Sequence, residues 1–325
     1  MYPIHRILVA IKDPLARSQP AVDKAAVIAA ALDAQIQLFH AIDEPVYPQI
    51  TPLLEQQLQQ VEAGQRERFR RQLERIATRL RKRRITVSTA VEWDFPCYEA
   101  IIRNATKFGA NLIVASDKAT VHRLPWLLRY TDWELVRASP IPVLLVKSPR
   151  PYRRPVILAA LDPTHAYAKP AGLDSEILHF SGTLAQALQG ELHAVHGYVP
   201  VPANIAPVVL STPGALEKML AAAETSATES LRQVAEPMGI SGSCLHVEGR
   251  HPADAVQEVA RETHSQIVAL GSISRSGIDR LLLGNTAEKL IDSLQCDILV
   301  VKAQTFPHRV ARAPRGARLA AVPVT

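Results

Sequence analysis

The sequence predicts an α/β protein made of two tandem, Rossmann-like sandwiches, each with a five-stranded parallel sheet between layers of helices. Short apolar runs of strand length alternate with longer segments of helical periodicity, which is typical of βαβ crossovers. The pattern stops at a proline-rich segment and then begins again. Residues 112–147 align without a gap to residues 267–302 at a constant offset of 155. The chain therefore carries an internal duplication.

The first copy is predicted to span residues 4–148. Residues 7–11 form a continuous apolar run, which is typical of a strand buried on both faces of a parallel sheet. Residues 35–41 alternate like a second strand, and residues 85–91, 111–115 and 143–146 are predicted as the third, fourth and fifth strands. Between them, helical patterns cover residues 20–32, 53–84 and 95–108. The last of these helices is expected to turn Ala100, Ile101 and Ala105 inward.

The helix predicted over residues 53–84 has one apolar face, made of Phe69, Leu73, Ile76 and Leu80. Arginines and lysines dominate the rest of its second half. They form either a surface for an anionic partner or a solvated face that is partly balanced by Glu67 and Glu74. The solvated face is the favoured interpretation.

Three prolines within residues 148–155 exclude a helix or a central strand there. We therefore predict a linker over residues 149–155 and a second copy over residues 156–303, whose first strand repeats that of the first copy. Residues 304–325 consist mainly of proline, arginine and small residues, and we predict a disordered basic tail.

Composition and charge narrow the class of protein. The 325 residues are 47% hydrophobic, and no apolar run is long enough to span a membrane. The first residues do not resemble a signal peptide, and Cys97, Cys244 and Cys296 fit neither a disulfide framework nor a CxxC metal site. A cytoplasmic protein is expected. The net charge of +6 arises from +7 in residues 1–150, −5 in 151–302 and +4 in the tail, so it gives little support to nucleic-acid binding.

The stretch from Gly271 to Thr286 is the strongest functional signal. It lies between an apolar run and a helical segment, where small residues allow backbone N–H groups to approach an anion at a helix N-terminus. It is neither a P-loop nor a G-x-G-x-x-G turn. From the residues alone, Gly271 and Gly284 are equally well explained as turn glycines with positive φ.

This stretch resembles the nucleotide loop of the universal stress protein family, G-x2-G-x9-G-[S/T]. Gly271 and Gly284 match the first and third glycines, whereas Ser274 and Asn285 depart from the pattern. The runs 98–102, 131–133 and 284–288 extend the resemblance to the tandem two-domain form of the family. The two departures disfavour tight ATP binding, while the Asn285 amide and the Thr286 hydroxyl keep an anion feasible.

The resemblance implies a ligand site in the second copy. It assigns Asp162 to the adenine or ribose, Ala194 and Val195 to backbone contact with the base, and the loop segments to ribose and phosphates. Taken alone, Asp162 is also explained as a turn-forming residue. The complete set of predicted site residues is Asp162, Ala194, Val195, Leu270, Gly271, Ser272, Ser274, Gly284, Asn285, Thr286 and Ala287. The implied ligand is ATP or another adenine nucleotide with Mg.

The first copy lacks the glycines of this loop. Ser116 and Arg129 align with Gly271 and Gly284, and Ala119 aligns with Ser274. The same segment carries the large rings of Trp126, Tyr130 and Trp133. The rings either pack within the domain or line a more apolar pocket, and packing is favoured. The nucleotide-type site is therefore expected in the second copy alone.

The function implied by the resemblance is resistance to general stress and DNA damage, through a non-enzymatic regulator that binds a small anionic ligand. The alternatives are an ATP-binding protein with weak ATPase or phosphotransfer activity, and nucleic-acid binding through the basic helix and tail, which is disfavoured. His193 and His196 lie in a strand pattern and are better explained as buried or edge residues than as metal ligands. The two copies are expected to pair through residues 144–146 and 298–301 as an intrachain pseudo-dimer, with a homodimer left open.

Overall fold

The structure is a computed structural model that describes residues 4–43, 52–116, 125–164, 172–201, 213–272 and 285–303, with the isolated positions 206, 211, 306, 310, 313 and 314. The chain divides into two compact units, the first centred on Pro3–Pro151 and the second on Tyr152–Phe306. Within the described ranges, no helix is both long and apolar enough to cross a membrane.

The first unit has five parallel strands in the order β3-β2-β1-β4-β5. The strands are β1 (Arg6–Ala10), β2 (Gln35–Ile42), β3 (Val87–Trp93), β4 (Leu112–Ser116) and β5 (Val143–Val146). The helices are α1 (Pro20–Leu32), α2 (Pro52–Arg81), α3 (Cys97–Phe108) and α4 (Pro125–Ala138). The central strand β1 is fully buried at Ile7, Leu8 and Val9, as the apolar runs predict.

The second unit repeats this arrangement with the order β10-β9-β6-β7-β8. Its strands are β6 (Val156–Ala160), β7 (Glu191–Gly197), β8 (Leu245–Glu248), β9 (Ile267–Ser272) and β10 (Asp297–Lys302). Its helices are α5 (Leu173–Ala187), α6 (Ala215–Ala235), α7 (Pro252–Glu262) and α8 (Asn285–Ser293). The central strand of each copy thus lies between the second and fourth strands of that copy.

Helix α2 has the predicted apolar face, because Leu73, Ile76 and Leu80 are buried and the Phe69 ring lies 4.6 Å from that of His40. On the exposed side, the two glutamates pair with arginines of the same helix. Glu67 contacts Arg70 and Arg71 at 2.9 and 3.3 Å, and Glu74 contacts Arg81 at 2.8 Å. These exposed pairs partly neutralise the basic face.

Two helix boundaries in the first unit differ from the prediction by two or more residues, and the third strand, predicted over residues 85–91, is observed as β3 (Val87–Trp93). Helix α2 ends at Arg81 rather than Arg84, and Arg84 has a φ of 63° in the turn that leads to β3. Helix α3 begins at Cys97 rather than Phe95, because Pro96 is extended, with a ψ of 148°. A proline also disfavours helical backbone in the residue before it.

The segment predicted as a linker contains a residue, Tyr152, whose side chain is buried. The Tyr152 hydroxyl donates to Oδ2 of Asp297 over 2.5 Å, and both side chains are buried.

Among the described tail residues, Val310 is buried, and the carbonyl of Ala313 accepts a hydrogen bond from Arg103 of the first unit at 3.4 Å. The exact domain limits and the disorder of the whole tail stay predictions.

Candidate ligand-binding site

Three neighbouring strands of the second unit end at the same edge of its sheet. Strands β10 and β9 finish at Lys302 and Ser272, which are register partners. Strand β6 pairs with β9 on the other side, and Asp162 follows two residues after its end. Adjacent strands lie about 4.8 Å apart, so these three residues span roughly 10 Å. The carboxyl edge of an open parallel sheet is where such folds bind ligands.

The three residues Lys302, Ser272 and Asp162 form a row along this edge, and the Lys302 end of the row is basic and buried. The Lys302 ammonium donates to Oγ of Ser272 over 2.6 Å and lies 4.5 Å from the centre of the Phe306 ring. Lys302 is only 5% exposed and Ser272 only 3%. Removal of the ammonium from water lowers the pKa of Lys302 from its ordinary value of 10.5 to about 7. A positive charge on Lys302 therefore costs free energy at this edge.

The other end of the row is acidic. Oδ1 of Asp162 accepts a hydrogen bond from the Thr164 hydroxyl at 3.2 Å, and the Asp162 backbone N–H donates to the Asp174 carboxylate at 3.3 Å. Asp174 is buried in the first turn of α5. Carboxylates accept hydrogen bonds, so this end suits a ligand that presents hydroxyl or amino groups.

Gly271 has a packing role that the sequence did not reveal. It lies inside β9, and its φ is outside the left-handed region. An added Cβ would lie 2.6 Å from Cδ2 of Leu173 and 3.1 Å from Cδ1 of Ile177. The turn-glycine interpretation is therefore wrong for Gly271, whose missing side chain lets α5 pack closely on the sheet. Because side chains alternate along a strand, Ser272 points to the opposite face.

The remaining predicted site residues lie in several places. Leu270, Ala194 and Val195 are buried inside β9 and β7, and the Val195 carbonyl accepts a hydrogen bond from the Leu161 N–H at 2.9 Å. At the start of α8 stand Asn285, the half-buried Thr286 and the buried Ala287. Ser274 and Gly284 lie outside the described residues. The predicted contacts of Ala194 and Val195 with a base stay predictions.

Lys302 is a candidate residue that sequence reasoning missed. It closes the aligned block of residues 267–302, where Lys147 ends the first copy in the same way. The sequence pattern that could have indicated Lys302 is a lysine at the end of an apolar strand in both copies. Its burial depends on Phe306 and on the neighbouring strand, which the pattern alone does not place.

The two histidines of β7 have different surroundings. His196 is buried, with Nδ1 3.2 Å from the Leu161 carbonyl, and His40 of the first unit lies likewise 2.8 Å from the Ile11 carbonyl. His193 instead contacts Nε2 of His246 through its Nδ1 at 2.9 Å, and the two rings are stacked. In the part of the chain that the structure describes, no group of three or more His, Cys, Asp or Glu is arranged to hold a metal ion.

In the first unit the same strand end has a different pair of side chains. The Ile11 N–H donates to the Phe39 carbonyl, as Leu161 does to Val195, so Lys12 occupies the position of Asp162. The Lys12 ammonium pairs with the buried Asp132 of α4, which the duplication aligns with Ala287. Nearby, the Arg137 guanidinium lies 5.8 Å from the centre of the Trp133 ring. The first unit thus fills this position with its own ion pair.

Comparison with known proteins decides the family. The profile of the universal stress protein family matches the chain twice, over residues 3–147 and 171–302. The chain belongs to the universal stress protein family. Each match covers one copy of the duplication, so this is a tandem universal stress protein with two α/β domains, and its general role is in the stress response.

Three of the similar proteins match this chain over nearly their whole length. Universal stress protein E of Escherichia coli is 26% identical over 311 residues, which cover 93% of this chain and 96% of that protein. A functionally unknown protein of Pseudomonas aeruginosa has a solved structure with a TM-score of 0.68 and 25% identity, covering 93% of both chains. A universal stress protein of Archaeoglobus fulgidus, at 15% identity and a TM-score of 0.61, covers 91% of this chain and 98% of its own, and it shares the fold.

Proposed function

We propose that this universal stress protein acts in the stress response as a non-enzymatic regulator, and that it binds one small anionic ligand at the carboxyl edge of its second domain. An adenine nucleotide is the ligand that best fits the family and the site. The protein would respond to the presence of the ligand rather than transform it. The observation that carries the proposal is the ordered row of Lys302, Ser272 and Asp162 along three adjacent strand ends.

The order of charges in this row supports one orientation of the ligand. An anionic group is favoured beside the Lys302 ammonium and the Ser272 hydroxyl. Ribose hydroxyls or a base amino group are favoured about 10 Å away, beside the Asp162 and Asp174 carboxylates, which would repel a phosphate. The start of α8 at Asn285 adds backbone N–H donors. A nucleotide has its anionic and hydroxyl-bearing ends in this order.

The side chains of the first domain favour a single ligand-binding site per chain, in the second domain. Its Lys12–Asp132 ion pair stands at the positions that correspond to Asp162 and Ala287 of the second domain. A ligand would have to displace Asp132 from a partly buried lysine, which costs free energy. The asymmetry between the two copies therefore suits one ligand-binding domain and one structural domain.

The residues present fit a nucleotide better than they fit a protein-bound Mg²⁺. Asp162 is a half-buried carboxylate at this edge, and its Oδ1 already accepts a hydrogen bond from Thr164. Mg²⁺ in such sites is commonly held by phosphate oxygens and water with one or two carboxylates. We propose that any Mg²⁺ would arrive with the nucleotide and that Asp162 is its nearest protein carboxylate.

Isothermal titration calorimetry of the full chain with Mg-ATP tests the proposal. We expect one ligand per chain, weakened at least several-fold by Asp162→Ala and unchanged by the matched first-domain variant Lys12→Ala. Phosphate release measured on the same samples distinguishes binding from hydrolysis. Equal loss of affinity in both variants, or sustained phosphate release, would contradict the proposed site or the non-enzymatic role respectively.

A further inference from the structure

We infer that helix α2 of the first domain carries a docking surface for the phosphate backbone of duplex DNA. The surface is a stripe of four exposed arginines along one side of the helix, Arg68, Arg71, Arg75 and Arg79. The inference goes beyond the proposed function, because it concerns the first domain and does not depend on the ligand site of the second.

The spacing of the four arginines defines the stripe. They are three, four and four residues apart, so each lies beside the next on the helix surface. The buried apolar residues of α2 lie on a different side of the helix, which leaves the stripe facing solvent. From Arg68 to Arg79 the stripe extends over roughly 16 Å, because an α-helix rises about 1.5 Å per residue.

The glutamates of α2 neutralise little of the stripe. Arg71 contacts Oε1 of Glu67 at 3.3 Å, whereas Glu74 is held by Arg81, outside the stripe, at 2.8 Å. Among the described residues, the other three arginines of the stripe have no carboxylate within ion-pair distance. The balance of charge that the sequence suggests for this helix therefore covers only the flank of the stripe.

Folding of the helix does not explain the stripe. Arg71, Arg75 and Arg79 are successive i,i+4 neighbours, and like charges at this spacing destabilise a helix. Arg75 donates to the side-chain oxygen of Gln72 at 3.3 Å, but this amide is neutral and does not offset the charge. A polyanion laid along the stripe would replace the repulsion by attraction.

The second copy provides a comparison within the same chain. Its helix α6 lies between the second and third strands of its copy, as α2 does in the first. Helix α2 contains seven arginines and four glutamates, whereas α6 contains two basic residues and three glutamates. One of the two, Arg232, pairs with Glu229 at 3.5 Å. The stripe is therefore a property of the first copy and not a requirement of the shared fold.

The stripe matches one strand of a duplex in length and in chemistry. A duplex presents about five phosphates per strand over roughly 16 Å of its axis, and the stripe presents four guanidinium groups over that distance. A guanidinium offers parallel N–H groups that bind phosphate oxygens in pairs, and arginine is favoured over lysine where phosphates are recognised in this way. Contacts of this kind bind DNA without reading its sequence.

The surroundings of the stripe favour a duplex over a single strand or a membrane. Surfaces that bind single strands combine cations with aromatic rings on which bases stack, but the one aromatic residue of α2, Phe69, packs against His40 with ring centres 4.6 Å apart. Helices that bind membranes insert an apolar face into the lipid, but the apolar face of α2, including Leu73 and Leu80, is buried in its own domain.

Fluorescence anisotropy of a labelled, mixed-sequence DNA duplex tests the inference with the full chain. Two variants each lose three exposed arginines. The stripe variant is Arg68→Gln, Arg75→Gln and Arg79→Gln, and the linker control is Arg150→Gln, Arg153→Gln and Arg154→Gln. Each protein is titrated at several salt concentrations, and the slope of log affinity against log salt is compared.

We expect the stripe variant to bind the duplex more weakly and to reduce the magnitude of the salt slope by about 2 to 3, because each lost phosphate contact contributes about 0.9. The linker control should keep the wild-type slope. Lysine at the three stripe positions should also keep the slope, which separates loss of charge from loss of fold. The stripe variant should bind Mg-ATP as wild type does, so the nucleotide site and the stripe are tested independently.

Four results would overturn the inference. The first is a wild-type protein that does not bind the duplex at low salt, and the second is an unchanged slope in the stripe variant. The third is an equal loss of slope in the linker control, which would indicate attraction by general positive charge. The fourth is tighter binding to vesicles of equal parts phosphatidylcholine and phosphatidylserine that the stripe variant loses, which would assign the stripe to a membrane surface.

Discussion

Lys12 of the first domain is paired with Asp132 at the position where the second domain has Asp162 and Ala287. The two copies therefore share a fold but differ in what stands at the end of their first strand. The first copy has a lysine there, paired with Asp132, and the second copy has a carboxylate. This difference underlies the assignment of ligand binding to a single domain.

The Lys12–Asp132 pair can be tested by rebuilding the second-domain combination in the first domain. Lys12→Asp should destabilise the first domain by about 1 to 3 kcal/mol, because it sets a second carboxylate beside the buried Asp132. Adding Asp132→Ala reproduces the combination of residues at Asp162 and Ala287 of the second domain, and it should recover most of the lost stability. Urea unfolding of the full chain measures both effects. Losses that simply add in the double variant would show that the two side chains do not interact.

Gly271 should be required for packing as well as for any ligand. Gly271→Ala places a Cβ 2.6 Å from Leu173 and should cost about 1 to 3 kcal/mol of unfolding free energy. Combining it with Leu173→Ala, which opens space at the same point, should cost less than the sum of the two single changes. Thermal or denaturant unfolding gives the coupling. Strict additivity would mean that the clash is relieved elsewhere.

Lys302 should make stability depend on pH. The unfolded chain keeps the ammonium proton up to about pH 10.5, whereas the native protein releases it near pH 7. Between these values unfolding takes up a proton, so raising the pH disfavours unfolding. In the absence of ligand, wild type should gain up to about 1.4 kcal/mol per pH unit over this window relative to Lys302→Met. Parallel pH profiles for the two proteins would contradict the buried, neutralised lysine.

His246 should titrate below the usual histidine range. Its burial, followed by the neighbouring His193, lowers the pKa of His246, and Glu248 opposes the shift. His193→Gln should raise the pKa only in part, because burial is the larger cause and remains. NMR titration of the ring signals measures this change. An unchanged pKa in the variant would show that the stacked pair does not interact electrostatically.

The sequence predicted the fold well, because strand and helix formation follow local patterns. The apolar runs of β1 and β5, the proline that opens α1 and the ungapped offset between copies were all visible in the chain. These features depend on residues close to one another or on direct repetition. They suffice to define two tandem parallel sheets.

The site was only partly predictable, because its chemistry depends on distant contacts. Lys12 and Asp132 are 120 residues apart, and no local pattern pairs them. Gly271 has the sequence context of a loop glycine, and its packing role depends on Leu173 of α5, which is distant in the sequence. The lowered pKa of Lys302 arises from burial between a strand and Phe306, which is a tertiary property. The family resemblance indicated the edge of the sheet but not these residues.

Native mass spectrometry of the full chain, purified without added nucleotide and then titrated with Mg-ATP, is the decisive test of the second-domain nucleotide site. We expect one adenine nucleotide to be retained or bound per chain at micromolar concentration, with weaker binding in Asp162→Ala and unchanged binding in Lys12→Ala. A protein that stays free of nucleotide at millimolar ATP, or that binds two per chain, would contradict a single nucleotide site in the second domain.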